Sequence, residues 1–234
     1  MMQSTLIAEP MVATTLPATR RHPARYSDAL LPVMARYLIG CRRVLDPFGG
    51  VGGVFRLSAW LPGAELQAVE IEPEWAAADP RITLGSALSL PWAAGYFDAV
   101  ATSPAYGNRM ADHHDARDGS RRYTYRHALG RPLHRDNAGS LQWGDGYRQF
   151  HRQAWAEARR VLRAGGLFVL NCKDHYRRGE LQPVTAWHIA ELERLGFGLV
   201  DRVQVATPGQ RHGANGERRV DFETVAVLRL RGEA

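Results

Sequence analysis

Eight consecutive residues, Asp46-Pro47-Phe48-Gly49-Gly50-Val51-Gly52-Gly53, carry the first chemistry in this 234-residue chain. Glycines at that density let a backbone approach a ligand closely and take up positive φ. The run follows a short apolar segment, 43–46, that reads as a buried strand. It therefore lies at the carboxyl end of a strand, where open α/β sheets bind ligands. A dinucleotide fingerprint, Gly-x-Gly-x-x-Gly, fails because from Gly50 the sixth position is Phe55. Asp46 leads the loop, where its carboxylate can accept a hydrogen bond from a ligand ammonium group. Glu70 ends the next strand, at about the spacing where an acid binds ribose hydroxyls, with Glu72 as a competing acid. A ligand joining an adenosine to an amino acid would satisfy both carboxylates; the plain alternative is a glycine-rich turn that binds nothing.

The elements that must position these residues can be read from periodicity. Leu30, Leu31, Met34, Tyr37 and Leu38 fall at helical spacing, with Ser27 as the expected N-cap, Pro32 near the start and Gly40 as the stop. Strands are expected at 43–46, 66–71, 82–84 and 97–102, with a helix opening at Pro73. Tyr147, Phe150, Ala154, Ala158, Val161 and Leu162 mark an amphipathic helix closed by Gly165-Gly166. An apolar strand at 167–170, a helix at about 182–195 and two strands at 199–206 and 220–230 complete the chain. Seven strands alternating with helices, the last two forming an antiparallel pair, predict a three-layer α/β sandwich around a mostly parallel sheet. Residues 1–20, interrupted by Pro10 and Pro17 and lacking a basic start, read as a loose tail. Residues 21–234 then form one domain, with a polar insertion at 107–146 that reads as one long loop without secondary structure.

Composition excludes several classes. No stretch approaches the roughly 18 apolar residues of a membrane helix. Cys41 and Cys172 are far apart without metal-ligand spacing, which suits a reducing cytoplasm. Lys173, in Cys-Lys-Asp, is the only lysine, so no Gly-Lys-Ser/Thr phosphate loop exists and kinase or ATPase chemistry falls away. The net charge of +6 fits a polyanionic partner. Its weight is modest, because abundant Arg, Ala and Gly with scarce Lys is also what a GC-rich coding sequence produces.

Asp46-Pro47-Phe48-Gly49 resembles the cofactor loop of amino-directed DNA methyltransferases, and Val69-Glu70-Ile71-Glu72-Pro73 is similar to their following acidic segment. The likeness spans about 22–231 and implies a class I methyltransferase (Rossmann-like) fold with S-adenosyl-L-methionine as cofactor. It assigns Asp46, Phe48, Gly49, Gly50, Gly52, Glu70 and Ile71 to the cofactor. His22-Pro23-Ala24-Arg25-Tyr26-Ser27 resembles the segment that contacts the methionine carboxylate, which assigns Tyr26 and Ser27. Gly85-Ser86-Ala87 stands where the family has Gly-Asp-Ala beside the adenine amine, so Ser86 and Ala87 replace an acid contact with a weaker one.

Thr102-Ser103-Pro104-Ala105-Tyr106-Gly107-Asn108 resembles the family's Ser-Pro-Pro-Tyr signature, with Ala105 in place of the second proline. The resemblance implies a catalytic segment Ser103, Pro104, Ala105 and Tyr106 acting on the exocyclic amine of a DNA base, cytosine N4 favoured over adenine N6 because serine comes first. Such an amine is a poor nucleophile, its lone pair being delocalised into the ring. Acceptors aimed at its hydrogens, the Ser103 hydroxyl and the Pro104 carbonyl, draw the nitrogen towards sp³ geometry. In-line positioning can then contribute ~7–11 kcal/mol, and Tyr106 would stack on a base taken out of the helix. Cytosine C5 chemistry is disfavoured: it needs a cysteine beside proline on the catalytic loop, whereas Cys41 lies before the first strand and Cys172 ends the fifth.

The insertion concentrates Arg109, Arg117, Arg121, Arg122, Arg126, Arg131 and Arg135 among Tyr123, Tyr125 and Trp143. Arg109, Arg121 and Arg122 are the expected DNA contacts there. Arg211 and Asn215 are candidates in the basic loop 210–219, which as easily reads as a solvated hairpin. The insertion's histidines, His113, His114, His127 and His134, lack the cysteine or close helical pairing that a metal site needs. RNA methylation by the same amine chemistry is the nearest rival. A cofactor-binding module without turnover is the rival from another class, motivated by Ala105 and Ser86.

Overall fold

The computed structural model describes residues 22–23, 26–107, 124–208 and 218–232; the tail expected at 1–20 lies outside them. Helix α1 (Leu30–Leu38) leads into strand β1 (Arg43–Asp46) and, beyond the glycine run, a 3₁₀ turn at Gly53–Ala59. Strand β2 (Glu65–Glu70), a single helical turn α2 (Pro73–Ala76), β3 (Ile82–Leu84) and β4 (Phe97–Thr102) follow. Then come the short helix α3 (Tyr125–Leu129), the long helix α4 (Asp145–Val161) and β5 (Leu162–Cys172). A small hairpin of β6 (His175–Arg177) and β7 (Glu180–Gln182) precedes α5 (Val184–Arg194), β8 (Phe197–Ala206) and β9 (Phe222–Leu230).

Seven strands form one sheet in the order β3-β2-β1-β4-β5-β9-β8. β1 to β5 are parallel, while β9 pairs antiparallel with both β5 and β8. The alternation of side chains along each strand divides the core in two. Leu45, Val69, Val100, Phe168, Leu170, Ala226 and Leu228 face α4 and α5. Their neighbours Val44, Ala68, Ala99, Ala101, Val169, Val225 and Val227 face α1 and the 3₁₀ turn. Adjacent residues with opposite faces are what a sheet covered on both sides requires.

Three local expectations change. Ala29, not Ser27, is the N-cap of α1; Ser27 supplies only its carbonyl, to the Leu30 amide. Gly165-Gly166 does not close the long helix, which ends at Val161 and passes directly into β5. The glycines instead make a bulge there. Between Phe97↔Leu162 and Ala99↔Leu167 the pairing shifts, Gly165 has φ +72°, and a Cβ on Gly166 would lie 2.9 Å from the Asp98 carbonyl oxygen. The insertion, expected to lack secondary structure, holds α3 and a 3₁₀ turn at Ala138–Ser140. Its ends meet at a neck, where the Trp143 amide donates to the Gly107 carbonyl (3.1 Å). No helix among the described residues is long and apolar enough to cross a membrane.

Candidate active site

A cleft of about 380 Å³ opens at the carboxyl ends of β1, β2 and β4, within the usual size range of small-molecule sites. The glycine loop forms its floor. The Gly49 amide donates to the Val69 carbonyl (2.8 Å), and a Cβ on Gly49 would stand 2.6 Å from the Ala68 Cβ. Glycine there lets the loop lie flush on β2. Gly50 has φ +54°, and its amide donates to Glu70 Oε2 (2.9 Å).

Glu70 lines the cleft at the end of β2, with Oε1 accepting from the Glu72 amide (2.8 Å). Burial pushes its carboxyl up to about 7, against the opposing pull of the backbone amides it accepts from. Glu72, the competing acid, is fully buried and does not line the cleft. It accepts from the His134 amide (2.8 Å) and the Asn137 side chain (2.7 Å) and pairs with Arg131 at 2.7 Å. Arg131 also grips Glu74 (Nε to Oε1, 2.9 Å). These bonds draw Asn137, Ala138 and Gly139 into the cleft wall. Arg131 is thus tied to the domain's own acids.

Tyr26, Phe48, Gly49, Gly50, Glu70, Ile71, Ser86 and Ala87 all line the cleft, whereas Ser27, Asp46 and Gly52 do not. Asp46 is 1 % exposed and fully engaged by protein donors. Its Oδ1 accepts from the Phe48 amide (3.0 Å) and the Thr102 hydroxyl (2.7 Å), and Oδ2 accepts from the Tyr26 hydroxyl (3.0 Å). Burial raises its carboxyl to about 6 despite these donors. The ligand contact expected of Asp46 is therefore not what the geometry offers; the carboxylate stands behind the wall and positions it. Ser86 lines the cleft but turns Oγ onto the Leu88 amide (3.2 Å), holding its own turn.

Ser103, Pro104, Ala105 and Tyr106 line the same cleft, beyond the end of β4. Behind Ala105 runs a directed hydrogen-bond chain. An indole only donates, so Trp155 Nε1 donates to His188 Nδ1 (2.9 Å). Burial holds His188 well below the usual histidine range, so it is neutral. Its Nε2–H must then donate to the Tyr147 hydroxyl (2.8 Å), which donates in turn to the Ala105 carbonyl (2.8 Å). Helices α4 and α5 fix the Ser103–Tyr106 segment through this chain.

Several lining residues were not foreseen, among them Tyr125, Asn137, Phe150, Lys173 and Glu223. Lys173 donates to the Thr207 carbonyl (2.9 Å), while burial lowers its pKa. Asn171, at the end of β5, donates to Ser103 Oγ (3.1 Å), the Tyr106 hydroxyl (2.9 Å) and Glu223 Oε2 (2.5 Å). One signal was available in the sequence: a last strand antiparallel to the fifth must begin at the end where the parallel strands finish. Arg109, Arg117, Arg121, Arg122, Tyr123, Arg211 and Asn215 lie outside the described residues, as do Asn108, Ala24 and Arg25. Among the described residues no group of three His, Cys, Asp or Glu is placed to hold a metal ion.

No family model and no curated protein matches the sequence. Solved structures do match. The cyclase SpnF aligns at TM-score 0.56 and 15 % identity, over 87 % of this chain and 80 % of that one. TrmN from Thermus thermophilus aligns at TM-score 0.51 and 18 % identity, over 86 % of this chain and 48 % of that one. The 1,6-didemethyltoxoflavin-N1-methyltransferase of Burkholderia thailandensis, solved with S-adenosylhomocysteine, aligns at TM-score 0.50 and 16 % identity, over 88 % and 80 %. A cyclase and a methyltransferase share this architecture, so the reaction must be argued from the site. The chain has the class I methyltransferase, Rossmann-like fold.

Proposed function

We propose that the chain uses S-adenosylmethionine to methylate the exocyclic amine of a DNA base, with cytosine N4 ahead of adenine N6. The observation that carries this reading is the meeting in one cleft of the glycine loop and Glu70 with the Ser103-Pro104-Ala105-Tyr106 segment. The residues present fit the cofactor. A loop packed too closely for a Cβ at Gly49, a carboxylate ending β2, and the apolar Ile71 and Ala87 suit an adenosine bearing a polar tail. When bound, the cofactor supplies an electrophilic methyl group on a sulfonium centre.

The chain's own residues do the rest. Glu70 accepts from ribose hydroxyls, and Tyr26 closes the floor. Ser103 Oγ and the Pro104 carbonyl accept from the two amine hydrogens, freeing the nitrogen lone pair. The Tyr106 ring is half-buried with its hydroxyl anchored at the back, which leaves a ring face for a flipped base. Arg109, Arg121, Arg122, Arg211 and Asn215 remain the proposed nucleic-acid contacts.

The test is transfer of a labelled methyl group to unmethylated DNA and to RNA, followed by nucleoside mass analysis. N4-methylcytosine in DNA supports the reading, and N6-methyladenine changes only the base. Product in RNA alone makes it an RNA enzyme. Cofactor binding with no product from either refutes base methylation.

A further inference from the structure

Resting on that reading, we infer that Glu223 is the terminal acceptor of the proton released by the methylated amine, reached through the Ser103 and Tyr106 hydroxyls. The chain lies between three elements: the segment after β4, the end of β5 and the start of β9. Ser103 Oγ and the Tyr106 hydroxyl are 2.7 Å apart, and the Tyr106 hydroxyl donates to Glu223 Oε2 at 3.1 Å. Asn171 Nδ2 touches Ser103 Oγ, the Tyr106 hydroxyl and Glu223 Oε2.

The direction of each proton follows from which atoms can donate. A carboxylate only accepts, so the single Tyr106 proton points at Glu223. The Tyr106 oxygen is then the acceptor that takes the Ser103 proton. Asn171, whose amide nitrogen must be the atom facing the carboxylate, donates into the chain and supplies no acceptor to compete with it. Every proton therefore points from Ser103 towards Glu223, while Ser103 Oγ keeps a lone pair for the cleft.

The bonds balance as follows. The amine lone pair forms the new N–C bond, and the electron pair of the C–S bond leaves with sulfur. The nitrogen, now carrying a methyl group, two hydrogens and a positive charge, gives one proton to Ser103 Oγ. Ser103 passes its own proton to Tyr106, and Tyr106 passes its own to Glu223 Oε2. The product amine is neutral and Glu223 ends as the acid, which lines the cleft and returns the proton to solvent. Neither hydroxyl ionises along the way. Among the described residues, the charged and titratable groups bearing on this site include Tyr106 itself, Tyr26 across the cleft, Cys172, Lys173 and Asp174 at the end of β5, and Arg219 and Asp221 beside β9.

The experiment compares Glu223→Gln, Tyr106→Phe and the double variant with the wild type in single-turnover methyl transfer across pH 5.5–9. Calorimetric binding of S-adenosylhomocysteine serves as the structural check. Both single variants should lose about 10²-fold in rate at neutral pH, the lower end of what a positioned proton acceptor contributes. Their rates should rise towards high pH, the double variant should be no slower than either single one, and cofactor affinity should hold within twofold. Independently of turnover, the Tyr106 hydroxyl proton should give a protected downfield NMR signal in the cofactor-free protein that Glu223→Gln shifts. Unchanged rates and pH profile in Glu223→Gln, additive losses, or absence of that signal overturn the relay while leaving base methylation standing. A wild type that methylates no nucleic acid refutes the base-methylation reading itself, and the relay with it.

Discussion

Glu70 should make apo stability and cofactor affinity change with pH in opposite directions. The residue is 8 % exposed, and burial raises its carboxyl from 4.5 to about 7. Between those values the unfolded chain has released the proton and the folded one still holds it, so the unfolded state binds fewer protons and stability falls as pH rises. The contribution is fully present below pH 4.5 and lost by the time pH passes 7. A difference of about 2.5 units at 1.36 kcal/mol each is about 3 kcal/mol. On the proposed reading, in which ribose hydroxyls donate to the ionised carboxylate, S-adenosylhomocysteine affinity should rise about tenfold per unit up to pH 7.

Glu70→Gln removes the titration while keeping the shape, although its NH₂ then faces a backbone N–H, which costs about 1–3 kcal/mol. Urea unfolding of wild type and variant between pH 4.5 and 8 gives the stability difference, and calorimetry gives the affinity. Asp46, also raised by burial, titrates in both proteins and cancels from that difference. The variant's deficit should shrink steadily from pH 4.5 to 7, and its ligand affinity should lose the slope. A stability difference that stays flat across this window would show that Glu70 is ionised throughout, and the reasoning would be refuted.

Gly49→Ala, whose Cβ would lie 2.6 Å from that of Ala68, should lift the loop off β2. The expected cost is about 1–3 kcal/mol with at least tenfold weaker S-adenosylhomocysteine binding, whereas Gly146→Ala, in open space on α4, should stabilise by about 0.5–1 kcal/mol. Tyr147→Phe leaves His188 Nε2 and the Ala105 carbonyl without their shared hydroxyl. Unfolding should show a loss of about 1–3 kcal/mol, and methyl transfer should slow while cofactor affinity holds. Asp46→Asn should keep near wild-type ligand affinity, because Oδ1 still accepts from Phe48 and Thr102 and the Tyr26 hydroxyl can turn to accept. Asp46→Ala, which strands three donors, should lose both affinity and stability in the same calorimetric and unfolding assays.

The sheet was legible because its strands are short apolar runs bounded by glycine, proline or acids, as at 43–46 and 97–102. The glycine bulge at Gly165-Gly166 was misplaced for a physical reason. Glycine after an amphipathic helix is the ordinary C-cap signature, and only the pairing of β4 with β5 reveals that the strand has already begun at Leu162. The cleft was legible where one segment carries several contacts, as at 48–50 and 103–106. It was not legible where contacts come singly from distant elements. Asn171 and Glu223 are 52 residues apart, and neither has a local pattern that sets it apart from any polar residue at a strand end.

Asp46 shows how a motif can be readable while its role is not. The carboxylate bonds Tyr26 from the segment before α1, the amide of Phe48 in the glycine loop, and Thr102 immediately before Ser103. Those three partners belong to the floor of the cleft, the glycine loop and the strand end that leads into Ser103. Placing an acid at 1 % exposure is costly unless its oxygens are satisfied, and here the satisfying donors are the parts that must be held in register. The proposed methyl transfer needs its two reactants held in a near-attack geometry, so on that reading a group that fixes the loop relative to Ser103 should affect rate as well as binding. An ammonium contact would demand negative charge at Asp46, whereas a joint demands only acceptors. The Asn and Ala substitutions separate those two demands, and the geometry sides with the joint.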